Sequence, residues 1–290
     1  MGMATEERHP CFWYGGFMSF CLRFKRDSKH LKTADEIIIK YKHEHIAIVK
    51  FLQEHINQRI IIDCTEEMDI KEILQIKEVN SDLNNYAILL LPQEKEIAEA
   101  LQEVGIPFFF DYHCNSWDAL HGLIKAGVSD VYITDGLGFE LDKVSTFCKK
   151  NNVRVRVFCN VCQSTWKGTD TFYTFFIRPE DVDLYAHYVD VFEFFGELKS
   201  VTADMLYTIY SKDKKWFGPL REIIVGFNSN LDSRYVAPNF ATKRLRCGRK
   251  CLKGGTCAMC NHIETLAETL KEKGMYLIPI QEKKAEPFDN

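Results

Sequence analysis

Residues 59–91 read RIIIDCTEEMDIKEILQIKEVNSDLNNYAILLL and contain one complete strand–helix–strand unit. The unit begins with the apolar run Arg59–Asp63 and ends with the apolar run Tyr86–Leu91. Short continuous apolar runs are typical of parallel strands that are buried on both faces. Between the two runs, Lys71–Val79 has the amphipathic pattern of a helix. This stretch therefore predicts one repeat of an α/β fold.

The same alternation continues along most of the chain. Ser116 is the predicted N-cap of a helix that ends at Gly127. Neither G-x-G-x-x-G nor G-x-x-x-x-G-K-[ST] occurs, which disfavours a doubly wound sheet. The pattern predicts an α/β fold, namely a (β/α)8 TIM-type barrel over residues 1–212 with a C-terminal cysteine-rich appendage over residues 213–290. The predicted strands are Gly16–Phe24, Arg59–Asp63, Tyr86–Leu91, Pro107–Asp111, Asp130–Thr134, Val153–Phe158, Phe172–Ile177 and Val189–Phe194.

Composition places the chain among proteins with a sizeable hydrophobic core. Of its 290 residues, 46% are hydrophobic, and the 21 Phe and 12 Tyr argue against a disordered chain. The sequence contains no run of 18 apolar residues, so we expect no membrane span. The N-terminus lacks the order of a signal peptide. The odd count of 11 Cys disfavours a secreted disulfide framework. We therefore expect a reducing, cytoplasmic setting and no membrane partner.

Four cysteines lie close together near the C-terminal end, in the run CGRKCLKGGTCAMC. Thiolates at such short spacing bind Zn²⁺ tetrahedrally or hold an iron–sulfur cluster. The run therefore predicts a site for a [4Fe–4S] cluster or Zn²⁺. The other interpretation is a set of unligated thiols or a disulfide pair. The predicted metal ligands are Cys247, Cys251, Cys257 and Cys260.

A run of positive charge accompanies these cysteines, although the net charge of the whole chain is −4. One interpretation is a phosphate-binding patch that contacts RNA through residues 243–253. The other is charge compensation, because four thiolates on Zn²⁺ leave a net negative site that nearby cations stabilise. The candidate nucleic-acid-binding residues are Lys243, Arg244, Arg246, Arg249 and Lys250.

Polar residues follow the predicted strands at the ends where barrel enzymes carry their chemistry. The densest group is DYHC, from Asp111 to Cys114. Asp111 and His113 are candidates for general acid–base catalysis, and Cys114 is a candidate nucleophile if its pKa is depressed. The alternative is that these side chains only satisfy loop backbone groups.

A second cysteine pair, Cys159 and Cys162, follows the strand predicted at Val153–Phe158. The C-x2-C spacing suits a cofactor-binding pair that Cys64 or Cys114 could complete at the barrel mouth. The alternative is two small buried hydrophobic residues, since free cysteines are commonly buried.

Three segments resemble the collagenase-like peptidase family U-32. They are VRVRVFCNVCQS from Val153, FEFFGELKSVTADMLYTIY from Phe192, and IKAGVSDVYITDGLGFELDKV from Ile124, and GGTCAMC from Gly254 is loosely similar to a family motif. The family includes proteins implicated in tRNA and rRNA base hydroxylation and in oxygen-independent ubiquinone hydroxylation. The resemblance implies a barrel that often holds a [4Fe–4S] cluster through cysteines, with Cys162 as a candidate ligand.

The chain also departs from the pattern of this family. Phe192, Gly196, Lys199 and Ser200 match the family signature, whereas the signature Glu and Arg are replaced by Phe195 and Glu197. The four-cysteine run also follows the signature instead of preceding it. These departures allow a rebuilt ligand set or a purely structural site.

Three functional hypotheses follow. The first is a hydroxylase-type RNA-modifying enzyme in which Asp111 and His113 handle protons and the basic run holds phosphates. The second is a collagenase-like protease, for which His113–Cys114 is the one adjacent His–Cys pair. The third is a non-catalytic binding or assembly module in which Zn²⁺ staples the appendage to the barrel.

Overall fold

Nine parallel strands form a single curled sheet in the computed structural model of the protein. The structure describes residues 18–23, 34–41, 45–66, 70–79, 84–134, 136–162, 175–196, 200–227, 231–236 and 238–245. The strands are β1 Ser19–Arg23, β2 Glu36–Lys40, β3 Arg59–Asp63, β4 Tyr86–Leu90, β5 Phe108–Phe110, β6 His113–Cys114, β7 Asp130–Ile133, β8 Arg154–Phe158 and β9 Val191–Glu193. The α-helices are α1 His45–Glu54, α2 Ile70–Val79, α3 Lys95–Glu103, α4 Trp117–Lys125, α5 Leu141–Lys150, α6 Val182–Tyr185, α7 Ser200–Tyr207 and α8 Phe240–Leu245.

The two edges of the sheet meet. Neighbouring strands pair in the order β5-β4-β3-β2-β1-β9-β8-β7-β6, so β5 and β6 are the outermost strands. Only Asp111 and Tyr112 separate β5 from β6 in the chain, which forces the edges together. The Ser129 N–H donates a 2.8 Å hydrogen bond to the Phe108 carbonyl and links β5 to the start of β7. The barrel-type, all-parallel architecture that the sequence predicts is confirmed at this level.

The helices begin and end where local chemistry favours it. Ser116 caps α4, because its side chain accepts a 3.3 Å hydrogen bond from the Ala119 N–H. The chain leaves α4 through Gly127, which has a φ of +78°. A Cβ at Gly127 would lie 2.7 Å from Gln102 Nε2, but this exposed side chain can move, so it is the backbone conformation that favours glycine there. None of the helices in the described ranges is long and apolar enough to cross a membrane.

Three strand assignments differ from the prediction. The short strand β6, His113–Cys114, is absent from the predicted strands. The sequence prediction omits Glu36–Lys40, which forms β2 between β1 and β3 and has only its last residue exposed. It places a strand at Phe172–Ile177, of which residues 175–177 are described and lie outside the nine strands. Phe175 and Phe176 instead pack their rings against Tyr185 and Phe240. Apolar residues in both segments are buried, and hydrophobicity alone does not distinguish a strand from a buried loop.

The described chain after residue 212 shares the core of the barrel. Leu220, Ile224 and Phe240 belong to the same buried apolar cluster as the strands. The Arg178 guanidinium binds Asp181 through two 2.6 Å contacts and also donates to the Ser233 and Val236 carbonyls at 3.4 and 3.3 Å. Within the described residues, the chain that follows residue 212 therefore packs against the barrel, and the division at residue 212 stays a prediction.

Candidate active site

The carboxyl ends of β5 and β6 carry the densest group of accessible polar side chains that the sequence predicts. Asp111 and Tyr112 link the two strands, and His113 is the first residue of β6. The side chains of Asp111 and His113 are 32% and 46% exposed. This is the end of a parallel barrel at which catalytic groups occur, so both side chains are placed to meet a substrate.

Asp111 and His113 face each other at the mouth. His113 Nε2 lies 3.9 Å from Asp111 Oδ1, which is within ion-pair range but beyond direct hydrogen-bonding distance. A water molecule or a substrate hydroxyl that bonds to both atoms would lie beside the line that joins them. An imidazole and a carboxylate are the residue types of general acid–base catalysis, so the pair is a candidate for proton transfer at the mouth.

Aromatic rings form a floor beneath this pair. The rings of Tyr132 and Phe158 stack in parallel, with centroids 5.0 Å apart and an interplanar angle of 11°. The His113 ring lies 5.8 Å from the Tyr132 ring and 5.3 Å from the Phe158 ring. The Phe195 ring meets Phe158 edge-on at 5.4 Å and is 40% exposed. We call Tyr132, Phe158 and Phe195 the aromatic floor.

Charged side chains fill the interior on the side of the aromatic floor that faces the strand N-termini. Arg156 is fully buried and donates to Glu36 at 2.7 Å, to Asp130 at 3.1 Å and to Glu193 at 3.0 Å. Arg59 and Arg154 add further contacts to Asp130 and Glu36. Three guanidinium groups thus balance three carboxylates. The charged cluster consists of Glu36, Arg59, Asp130, Arg154, Arg156 and Glu193.

Burial tends to lower the pKa of Arg156, but the carboxylates of Glu36 and Glu193 raise it well above its ordinary value. Arg156 therefore stays charged. Sequence reasoning missed this cluster. The signal that could have revealed it is the alternation RVRVF in β8, which places Arg154 and Arg156 on one face of a buried strand.

Cys114 points away from the mouth. It follows His113 on β6, and successive residues of a strand face opposite sides of the sheet. Cys114 is fully buried, and its thiol lies 3.5 Å from the Ser116 carbonyl. Burial raises the pKa of Cys114 to about 11, so the thiol remains protonated at neutral pH. Cys114 therefore does not meet the condition for a nucleophile, which was a depressed pKa. The His113–Cys114 pair no longer supports the protease hypothesis.

Cys159 and Cys162 also fall at different depths. Cys159 is fully buried with its thiol 3.5 Å from the Glu193 carbonyl, and burial raises its pKa well above the ordinary value. Cys162 is partly exposed, and its N–H donates to the Val225 carbonyl at 2.8 Å. No three His, Cys, Asp or Glu side chains in the described ranges converge as metal ligands. Within these ranges, Cys64 and Cys114 therefore do not complete a site with this pair.

The remaining predicted site residues lie near or beyond the end of the described chain. Lys243 is exposed on α8, whereas Arg244 is buried. The Arg244 guanidinium lies 4.3 Å from the centroid of the Phe176 ring and 5.1 Å from that of Phe240. Arg244 thus does not face a nucleic acid, which corrects that assignment. Cys247, Cys251, Cys257, Cys260, Arg246, Arg249 and Lys250 lie outside the described residues.

Comparison with known proteins identifies no family for this chain. No family model matches the sequence. No curated protein matches it either.

Solved structures give distant likenesses. A U32 peptidase has a TM-score of 0.40 at 13% identity, covering 67% of this chain and 99% of that one. L-talarate dehydratase from Polaromonas sp. JS666 has a TM-score of 0.41 at 15% identity, covering 63% of this chain and 54% of that one. A 4-hydroxy-2-oxoglutarate aldolase has a TM-score of 0.38 at 14% identity, covering 66% and 90%. The barrel-type architecture of this chain is established by its own strand pairing.

Proposed function

We propose that this protein is a barrel enzyme that modifies a planar substrate, with RNA bases as the substrate class that the sequence favours. Asp111 and His113 transfer protons at the mouth. One observation carries the proposal: two residues selected from the sequence as an acid–base pair lie 3.9 Å apart, half-exposed, at the carboxyl ends of the barrel strands.

In this proposal each residue has a task. His113 accepts or donates the proton, because its imidazole is half-exposed at the mouth. Asp111 faces the imidazole with its carboxylate and completes the pair. Phe195 is 40% exposed and offers apolar surface against which a flat substrate ring can stack, and the buried Phe158 ring supports both Phe195 and His113. The floor also keeps water from one side of the proton-transfer pair.

The cofactor in this proposal is a [4Fe–4S] cluster or Zn²⁺ held by Cys247, Cys251, Cys257 and Cys260. What supports it is the close spacing of four soft ligands. An iron–sulfur cluster supplies electron transfer, and zinc supplies folding energy or Lewis-acid chemistry. Metal and sulfide analysis of protein purified without oxygen tests this part. Iron with sulfide supports a redox enzyme, and zinc alone supports a structural site.

The RNA contact in the proposal now rests on fewer residues. Arg244 is withdrawn because it is buried, which leaves Lys243, Arg246, Arg249 and Lys250. Binding of a fluorescent single-stranded RNA oligonucleotide at two salt concentrations tests it. We expect affinity to fall with added salt, and to fall further in a Lys243→Gln, Arg246→Gln, Arg249→Gln, Lys250→Gln variant. An RNA affinity that changes neither with added salt nor in the variant would contradict this contact.

Activity is tested with unmodified RNA transcripts and nucleoside mass spectrometry. We expect the wild-type protein, loaded with its metal, to produce a modified nucleoside. His113→Asn should slow this reaction by about 100-fold or more, since positioned acid–base groups contribute about that much. His121→Asn, which changes an exposed histidine on α4, is the matched control. A wild-type rate in His113→Asn contradicts the proposal.

A second candidate is the zinc-stapled, non-catalytic module. The observation in its favour is the integration of the chain before the cysteines into the barrel core, through Arg178 and Phe240. A zinc ion bound after such an anchored helix could hold the C-terminal segment against the barrel. Cys257→Ser separates the two candidates. In the module it lowers the thermal stability of zinc-loaded protein and there is no catalytic rate to lose, whereas in the enzyme it abolishes turnover.

A further inference from the structure

Tyr132 lies between the candidate proton-transfer pair and the charged cluster. On one side its strand β7 pairs with β6, and Tyr132 is in register with His113. On the other side β7 pairs with β8, and Tyr132 is in register with Arg156. The residue is almost completely buried. It thus contacts both groups, although neither its type nor its position marks it as a catalytic residue.

The hydroxyl end of Tyr132 is held by charge. Its Oη donates a 2.7 Å hydrogen bond to Glu193 Oε2. Glu193 Oε2 also accepts a 3.0 Å hydrogen bond from Arg156 Nη2, and Glu193 is fully buried. Hydrogen bonds to an ionised group are short and strong, and burial strengthens them further. The position of the tyrosine oxygen is therefore fixed by the charged cluster.

The ring end of Tyr132 supports His113. The His113 ring is inclined by 58° to the Tyr132 ring and by 59° to the Phe158 ring, so it leans on two rings that are themselves parallel. On the other side of the imidazole, Nε2 faces Asp111. A tilt or shift of the Tyr132 ring would change both the support of the imidazole and the gap to Asp111.

We propose that Tyr132 is a positioning residue: its hydrogen bond to Glu193 sets the ring on which His113 rests and thereby directs His113 Nε2 toward Asp111. The catalytic meaning of this arrangement rests on the proposed function, whereas the geometric claim does not. Tyr132→Phe is the direct test, because it removes the hydroxyl and retains the ring.

The readout is the ring-current shift of the His113 ring protons in nuclear magnetic resonance spectra. In the wild-type protein we expect these protons to be displaced from their random-coil positions by the Tyr132 and Phe158 rings. In Tyr132→Phe we expect the displacement to change. The control is Tyr210→Phe, which deletes another buried hydroxyl, one that lies 3.1 Å from the Cys159 and Ile177 carbonyls. It should leave the His113 signals in place. Unchanged signals in Tyr132→Phe overturn the proposal.

Two further measurements separate the possible failures. If Tyr132→Phe does not fold, nuclear Overhauser contacts between the His113 and Tyr132 rings in the wild-type protein decide the geometry, and their absence overturns the proposal. If His113→Asn leaves nucleoside modification unchanged, the proposed function fails, while the ring-current result still stands. If the ring-current result and the His113→Asn result both support the proposals, Tyr132→Phe should lower kcat several-fold and leave KM unchanged. The variant disturbs the orientation of His113 and not the surface that binds the substrate.

Discussion

The two ends of the barrel interior are built from different chemistry. Toward the strand N-termini, Arg156 and its three carboxylate partners are buried, and the partly exposed Arg59 and Arg154 complete the balance of charge. Toward the carboxyl ends, Asp111 and His113 are half-exposed and rest on aromatic rings. The charged end joins residues of different strands, and the aromatic end presents side chains that solvent reaches. The number of charges thus does not identify the accessible end, because most charges of the cluster are buried and paired.

The difference has an energetic basis. A buried ion pair gains little over an apolar replacement of both partners, but the loss of one partner leaves an uncompensated charge in the interior. A half-exposed pair is solvated in part and contributes little to stability. Substitutions should therefore separate the two ends by their effect on the free energy of unfolding.

The largest effect is expected for Arg156→Met. The change removes the Arg156 guanidinium from the buried carboxylates of Glu193, Glu36 and Asp130 and should lower the free energy of unfolding by about 3–5 kcal/mol. Urea denaturation followed by circular dichroism measures the loss. Arg234→Met, which breaks an ion pair of a 57% exposed arginine with Asp232, is the matched control. If the two variants had equal free energies of unfolding, the charged cluster would not contribute more to stability than an exposed ion pair, which would contradict the prediction.

Arg178→Ala should come next, because it removes the guanidinium that ties residues 231–236 to the barrel. The buried Asp181 then lacks the Arg178 guanidinium, and we expect the free energy of unfolding to fall by about 3 kcal/mol. Hydrogen exchange should show faster exchange in residues 231–236 and 238–245 than in the strands. Lys143→Ala, which breaks a solvent-exposed pair with Glu140, serves as the control. Uniform exchange would mean that this segment is held by other contacts.

Asp190→Asn should give a smaller change of opposite sign. Burial raises the pKa of Asp190 above its ordinary 3.8, while the Val155 N–H lowers it and Asp130 and Glu36 raise it. The folded protein therefore binds more protons than the unfolded chain just above pH 3.8, and this residue makes stability fall as pH rises through that window. Asn keeps an oxygen for the 2.8 Å bond from Val155. The variant should be the more stable protein at pH 7 and equal to wild type at pH 3. A wild-type advantage at pH 7 would contradict this.

The smallest effect on stability is expected at the mouth. Asp111→Asn and His113→Asn change half-exposed side chains and should alter the free energy of unfolding by less than about 0.5 kcal/mol. The same variants should lose nucleoside modification. Thermal denaturation and mass spectrometry measure the two effects on one preparation. A large loss of stability with retained activity would reverse the roles assigned to the two ends.

The sequence predicted much of the local structure. Strands β3 and β4 and helix α2 are encoded by apolar runs and amphipathic periodicity, and their bounds follow the prediction closely. The grouping of Asp111 and His113 was also predictable, since parallel strands place their carboxyl ends at one edge and the sequence shows which residues follow each strand. The metal site at Cys247, Cys251, Cys257 and Cys260 stays a prediction.

What the sequence by itself determined is most of the strands and helices and the residues that follow them, because these depend on residues that are close together in the chain. Only the tertiary structure decided which strands meet and which charges pair. Arg156 binds Glu36, 120 positions away, and Tyr132 binds Glu193, 61 positions away. It also decided that Cys114 and Arg244 are buried. Closure of the sheet brings distant strands together, and no local pattern of hydrophobicity or charge records how a sheet closes.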